Sequence, residues 1–133
     1  MWLTSVALAT AAPGPATLEA PPGIALSTDA VPFTFSSPGT SFLDGCAPIE
    51  LERREGALWV ALPRVPCPTA VAATLVNESL TLSVPPPIPG EYRAVAAWGT
   101  ECDPARPFAL AGCKTLDLVR STAFKVEAPA AKP

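Results

Sequence analysis

Four cysteines and the absence of histidine constrain this chain more than any other feature of its sequence. The cysteines are Cys46, Cys67, Cys102 and Cys113, and they occur in a small apolar chain that contains 18 prolines. Such a pattern is typical of exported domains that disulfides hold together. The missing histidine removes the commonest general base, the commonest zinc ligand and any ordinary catalytic triad. The sequence therefore predicts a non-catalytic domain in an extracytoplasmic compartment.

The spacing of the cysteines favours disulfides over a metal site. The intervals between them contain 20, 34 and 10 residues, so the chain has no C-x-x-C pair, and no histidine could complete a zinc site. Nested local pairing, of Cys46 with Cys67 and of Cys102 with Cys113, is the simplest of the three possible connectivities. We expect two disulfides, no metal and no cofactor.

Short segments in which apolar and polar residues alternate follow one another along the chain, separated by proline or glycine. Alternation with a period of two is the pattern of a half-buried strand. The predicted strands are 31–36, 49–54, 57–62, 70–76, 80–84, 91–98, 115–119 and 123–127. The predicted turns include Glu55-Gly56, between the second and third strands, and Asn77-Glu78, between the fourth and fifth. Seven or eight short strands with turns about every ten residues predict an all-β fold, a single antiparallel β-sandwich.

The strand pattern between residues 24 and 127 resembles the immunoglobulin-like and fibronectin-III-like modules of exported bacterial proteins. Pro89-Gly90-Glu91-Tyr92 is similar to the P-[AG]-G-x-Y opening of a late strand in such modules, where the tyrosine hydroxyl bonds to nearby backbone. The antibody pattern of two core cysteines around a tryptophan is not met, since Trp59 lies only eight residues before Cys67. The resemblance therefore implies an immunoglobulin-like architecture and not a true antibody domain.

The first 23 residues lie outside the predicted sandwich. Residues 2–12 (WLTSVALATAA) form an apolar run with the length of a signal-peptide core, but no lysine or arginine precedes it. Either the true start lies upstream, or the signal is unusual, or the run is a first strand. Residues 12–23 (APGPATLEAPPG) have the composition of a linker. The expected division is a signal-like segment and linker at 1–23, a sandwich domain at 24–127 and a flexible tail at 128–133.

Charge and hydropathy disfavour nucleic-acid binding and a transmembrane span. Nine basic and twelve acidic residues give a net charge of −3 without a run of either sign, so no basic stripe could neutralise the phosphates of nucleic acid. No stretch reaches the ~18 apolar residues that a transmembrane span requires.

Glu50 and Glu52 share one face of a predicted strand, and we assign them to a solvated face. The expected partner is another protein of the cell envelope or exterior, and the sequence leaves the oligomeric state open.

The long loop 99–114 (GTECDPARPFALAGCK) is the best candidate for recognition. A disulfide between Cys102 and Cys113 would close this loop and reduce the entropy that it loses on binding. Its tip carries four candidate contact residues, namely Arg106, Pro107, Phe108 and Leu110. The structural alternative is that Phe108 and Leu110 fold back and cover the open end of the sandwich.

Arg106-Pro107-Phe108 is also similar to the R-P-[WF] loop of the chagasin-like cysteine-protease inhibitors, which are immunoglobulin-like sandwiches. In that family the loop helps to fill the protease cleft beside an N-P-T-T-G loop. This chain has no N-P-T-T-G sequence, and its cysteines have no counterpart in the family's usual pattern. The resemblance implies a protease-inhibitor-like role as the alternative to a structural or protein-binding module.

Overall fold

The computed structural model describes residues 16–63, 71–85 and 87–130, and β-strands dominate these residues. Nine strands form in this part of the chain. Their bounds are β1 Thr17–Glu19, β2 Ile24–Leu26, β3 Val31–Leu43, β4 Glu50–Glu55, β5 Leu58–Ala61, β6 Thr74–Val84, β7 Gly90–Thr100, β8 Thr115–Arg120 and β9 Phe124–Glu127. A short 3-10 helix, Phe108–Leu110, lies between β7 and β8. No α-helix occurs in the described ranges.

Two long strands, β3 and β7, organise the sheet. β3 pairs with β1, β6 and β7, and β7 pairs also with β4, β8 and β9, all in the antiparallel direction. β5 adds to β4, whereas β2 adds to β9 in the parallel direction. The result is one mixed sheet that curls into a half-barrel. The all-β prediction is confirmed, but the sheet is not wholly antiparallel and has more strands than the sequence predicts.

The main core lies on the inner face of the curled sheet. Phe33 and Phe35 of β3 are almost fully buried there. The ring of Phe33 meets that of Phe124 edge-on at a centroid distance of 5.4 Å, and the ring of Phe35 lies 6.3 Å from that of Trp98. These contacts join β3 to β9 and β7 across the core. The period-two pattern that predicts the strands thus also supplies the face that folds inward.

Tyr92 anchors the start of β7. Its side chain is fully buried, and its hydroxyl donates a hydrogen bond of 2.7 Å to the carbonyl oxygen of Ile88, four residues earlier. The guanidinium carbon of Arg53 lies 5.9 Å from the centre of the same ring. The predicted bond between the Tyr92 hydroxyl and nearby backbone is confirmed.

β4 and β5 form the predicted hairpin with a turn that differs by one residue. Glu55 pairs with Leu58, so the two-residue loop is Gly56-Ala57 and not Glu55-Gly56. Gly56 has a φ of 63°. A positive φ at the first loop position is the requirement of a type II′ hairpin, and glycine meets it without strain. The position of Gly56 therefore determines how β4 and β5 are paired.

β6 is one continuous strand, so the prediction of two strands joined at Asn77-Glu78 is wrong. The register against β3 shifts between Ser36 and Thr40, which marks a β-bulge. Gly39 on one strand and Glu78 on the other both have a φ of 70°. Asn77-Glu78 therefore lies at a β-bulge within the strand and not in a turn, because pairing with β3 continues on both sides of it.

The segment that the sequence assigns to a linker contributes to the core. β1 pairs with residues 34–36 of β3, and the side chains of Ala16 and Leu18 are buried. β2 then begins at Ile24. The linker prediction is therefore corrected for residues 16–20, because Ala16 and Leu18 are buried in the core and β1 pairs with β3. The apolar run 2–12 and tail residues 131–133 lie outside the described residues.

Candidate interaction surface

The predicted disulfide between Cys102 and Cys113 is confirmed. It closes the connection between β7 and β8, and the two Cα atoms lie 4.0 Å apart. Cys67 lies outside the described residues, so its pairing with Cys46 stays a prediction. No cysteine in the described part of the chain is a free thiol.

Backbone hydrogen bonds connect the two ends of the disulfide loop and stabilise it from within. The Asp103 amide donates to the Ala111 carbonyl at 2.8 Å, and the Lys114 amide donates to the Thr100 carbonyl at 2.9 Å. The Asp103 carboxylate accepts from the Ala105 amide at 2.9 Å. A loop that is closed covalently and bonded internally loses little conformational entropy when it binds a partner.

The loop covers part of the outer face, which is the side of the sheet opposite the main core. Phe42 projects from β3 to this side and is only 6% exposed, because it packs with Cys102 and Ala111 in a small second core. Gly99 pairs with Phe42 and lies beneath the disulfide. A Cβ atom on Gly99 would come within 2.9 Å of the Cys113 sulfur. The absence of a side chain at Gly99 thus allows the loop to lie against the sheet.

The four predicted contact residues have different environments. The Arg106 side chain is 64% exposed and pairs with Asp103 at 3.2 Å. Leu110 is 66% exposed. Pro107 is half-buried, and Phe108 packs against the second core. Phe108 therefore folds back as the structural alternative expects, whereas Arg106 and Leu110 remain on the surface.

A neighbouring connection supports the loop in a way that the sequence analysis missed. Ala72 forms an isolated bridge with Pro107, and the Ala73 amide donates to the Arg106 carbonyl at 2.9 Å. On its other side, the Ala72 carbonyl oxygen would lie 1.9 Å from a Cβ atom on Gly45. The β3–β4, β5–β6 and β7–β8 connections therefore gather at one end of the sheet. No local signal marks these residues, because their contacts join distant parts of the chain.

A charged cluster occupies the outer face away from the loop. The Glu52 carboxylate accepts from Arg93 at 2.5 Å and from Arg120 at 3.3 Å, and its side chain is only 14% exposed. The Arg93 guanidinium stacks over Trp59 at 4.6 Å from the ring centre. Burial raises the pKa of Glu52, but the hydrogen bonds and charges of Arg93 and Arg120 outweigh this effect and lower it below the ordinary value. The assignment of Glu52 to a solvated face is thus wrong, since it joins three strands.

The rest of the described surface gives no sign of a metal centre or a membrane span. No group of three or more cysteine, aspartate or glutamate side chains among the described residues is placed to hold a metal ion. None of the helices there is long and apolar enough to cross a membrane. Comparison with known protein families and with curated proteins finds no match to this chain.

Proposed function

We propose that this chain is an exported, non-catalytic module that binds another protein of the cell envelope or exterior. The binding surface is the disulfide-closed loop 99–114, with Arg106 and Leu110 as its contact residues. The observation that carries the proposal is a large apolar side chain, Leu110, held 66% exposed on a loop that a disulfide and backbone hydrogen bonds make rigid. Rigid loops with exposed apolar and arginine side chains are typical of recognition sites.

The pairing of the strands supports an immunoglobulin-like arrangement for this module. β1, β3 and β6 form one group, and β2, β9, β7, β8, β4 and β5 form another. The two groups join where the end of β3 pairs with β7. Aromatic contacts between Phe33 and Phe124 lie between the two groups. The hydroxyl of Tyr92, bonded four residues upstream, corresponds to the tyrosine corner of such folds. In this architecture, loops that cluster at one end of the two layers commonly form the binding site.

The disulfide supports an extracytoplasmic location. Disulfides persist in oxidising compartments and are rare in the cytosol, where thiols are kept reduced. The Cys102–Cys113 bond also covers Phe42, so the second core depends on it. We infer that this loop forms its bond after export and then remains oxidised.

The protease-inhibitor alternative fits the loop less well. Its resemblance depends on Phe108, which is half-buried against the second core and is not free to enter a cleft. Arg106 is already paired with Asp103. We therefore favour recognition through Arg106 and Leu110 over insertion of the Arg106-Pro107-Phe108 segment.

A capture experiment with matched variants tests the proposal. Wild-type protein, Leu110→Ser and Ile88→Ser are immobilised and exposed to an extract of the envelope and exterior of the source cells. Ile88 is the control because it is 64% exposed and lies two residues before β7, whereas the loop follows the other end of that strand. We expect wild type and Ile88→Ser to capture the same protein, and Leu110→Ser to bind it about tenfold more weakly or worse. Capture of the same proteins by all three variants, or of none, would contradict the proposal.

A further inference from the structure

We propose that the disulfide between Cys102 and Cys113 is a redox switch that determines whether the loop 99–114 can bind its partner. In the oxidised chain the loop is closed, and the disulfide and backbone hydrogen bonds hold its tip in place. In the reduced chain the loop opens, while the main sheet stays folded. This inference rests on the proposed binding function of the loop, because it names the condition under which that surface forms.

The separation of the two cores is the first argument. Among the described residues, no side chain of the loop 99–114 belongs to the main core, and the two cores share no buried residue. The pairing of β7 with β8 extends to Thr100 and Thr115 at the ends of the loop. The loop can therefore open without breaking this ladder or exposing the main core. Local opening of this kind requires less free energy than unfolding of the whole domain.

The second core is too small to keep the loop closed by burial alone. Its buried residues are Phe42, Cys102 and Ala111, of which only Phe42 is large. Leu110, a large apolar residue of the loop, is 66% exposed and adds little to this burial. The disulfide closes a ring across a sequence separation of 11 residues. On the chain-entropy model, loss of a ring of this size raises the ratio of open to closed loop about a hundredfold.

The backbone at the start of the loop also favours opening once the disulfide is absent. Glu101, the residue before Cys102, has a φ of 53°. A glutamate adopts this left-handed conformation only at an energetic cost, and it persists where the surrounding structure enforces it. The ring between Cys102 and Cys113 supplies that constraint next to Glu101. An open loop releases the strain.

Opening removes the features that make the loop a binding surface. The hydrogen bond from the Ala73 amide to the Arg106 carbonyl and the bond from the Leu110 amide to the Pro107 carbonyl, each 2.9 Å long, hold the tip in place. Without the ring, a partner would have to order the tip as it binds, and this lowers the affinity. Phe42 would also lose the cover that Cys102 and Ala111 provide.

The switch operates by thiol–disulfide exchange with an oxidant that itself carries a disulfide. One loop thiolate attacks the oxidant's S–S bond and forms a mixed disulfide, which the second loop thiolate then displaces. The Cys102–Cys113 bond forms, the oxidant's bond breaks, and the two electrons and two protons of the loop thiols leave with the oxidant as its two thiols. A dithiol reverses the step by attack at Cys113, because Cys113 is half-buried whereas Cys102 is only 8% exposed.

Hydrogen exchange of the full chain, resolved by NMR, tests the inference. The samples are oxidised wild type, wild type in dithiothreitol, the double variant Cys102→Ala/Cys113→Ala, and Leu110→Ser as a control that keeps the disulfide. The double variant is needed because dithiothreitol acts on every disulfide of the chain. We expect the Asp103 and Leu110 amides to exchange about a hundredfold faster in the reduced protein and in the double variant than in oxidised wild type or, for Asp103, in Leu110→Ser.

The amides of Leu62 and Ser121 are the internal control, since they donate to the carbonyls of Leu51 and Ala94 in the sheet. Their exchange should be unchanged in the double variant. Loop amides that exchange at the oxidised wild-type rate in the double variant would overturn the switch. Equal acceleration at Leu62 and Ser121 would also overturn it, because the disulfide would then hold the whole sheet.

The exchange measurement needs no partner, so its failure and the failure of the proposed function are distinguishable. In the capture experiment, the double variant should bind the captured protein about tenfold more weakly than wild type, or worse, as Leu110→Ser does. Undiminished capture by the double variant, with Leu110→Ser still impaired, would refute the switch and leave recognition through the loop in place.

Discussion

Replacement of Tyr92 by phenylalanine measures how far one buried hydroxyl stabilises the fold. The substitution keeps the ring, and with it the contacts to Phe124 and Arg53 at 6.2 and 5.9 Å. It removes only the 2.7 Å hydrogen bond to the carbonyl of Ile88. That carbonyl lies near the surface, so water satisfies part of the lost bond. We expect the free energy of unfolding to fall by about 1–2 kcal/mol. The melting temperature should fall by about 4–8 °C, given the size of the domain.

Urea unfolding monitored by tryptophan fluorescence is the appropriate assay, since its midpoint and slope separate stability from compactness. The control is Thr81→Val, which removes an exposed hydroxyl that bonds Thr34 at 3.2 Å. Surface changes of this kind should alter the free energy of unfolding by about 0.5 kcal/mol or less. If Tyr92→Phe is as stable as Thr81→Val, the hydroxyl does not anchor β7. If its slope changes as well, the native state has rearranged and the simple account is wrong.

Two further predictions concern the outer face. The folded pKa of Glu52 is depressed, so its ion pairs with Arg93 and Arg120 stabilise the protein above the unfolded pKa, and this stability is lost as the pH falls through the folded pKa. The free energy of unfolding, measured against pH, should therefore fall less at acid pH in Glu52→Gln than in wild type. Gly99→Ala places a methyl group 2.7 Å from the Thr115 carbonyl oxygen. Urea unfolding should show that this substitution lowers the free energy of unfolding by about 1–3 kcal/mol.

Each of these two predictions has a matched comparison. Glu50→Gln changes a neighbouring carboxylate on the same face of β4 and keeps the ion pairs of Glu52, so the difference between its acid profile and that of Glu52→Gln isolates the effect of those ion pairs. Gly90→Ala introduces the same methyl group in the same strand, where its nearest neighbour is the Nε atom of Arg53, 3.1 Å away. A long arginine side chain can move, whereas the backbone near Gly99 cannot. Equal losses for Gly90→Ala and Gly99→Ala would refute the argument that close backbone contact selects glycine.

The features that the sequence predicts correctly are those that local chemistry determines. The β4–β5 hairpin follows from alternation on both sides of one glycine, although the turn lies one residue later than predicted, where Gly56 has a positive φ. Cys102 and Cys113 are close in sequence and close a single connection. Tyr92 needs a backbone acceptor only four residues away. In each case both partners lie within one short segment, so pattern and spacing are sufficient.

The features that the sequence misses depend on contacts between distant segments. β6 passes through Asn77-Glu78 because β3 offers a partner on both sides of the bulge. β1 forms because it pairs with β3 and buries Leu18 in the main core, although the surrounding residues have the composition of a linker. The support of the loop by Ala72 likewise joins residues that no local pattern connects. A proline-rich or turn-like composition lowers intrinsic strand preference, but tertiary pairing outweighs it.

The loop 99–114 serves the fold as well as the proposed contact, and this determines how it must be studied. Cys102 and Ala111 bury Phe42, so deletion of the loop would expose an aromatic side chain on the outer face. An exposed aromatic beside Leu116 would add to the apolar surface of the outer face and favour non-specific association. Loop deletion would therefore disturb the fold and the proposed binding surface together. Leu110 and Arg106 lie outside the second core, so substitutions there change the binding surface and leave the cover over Phe42 in place.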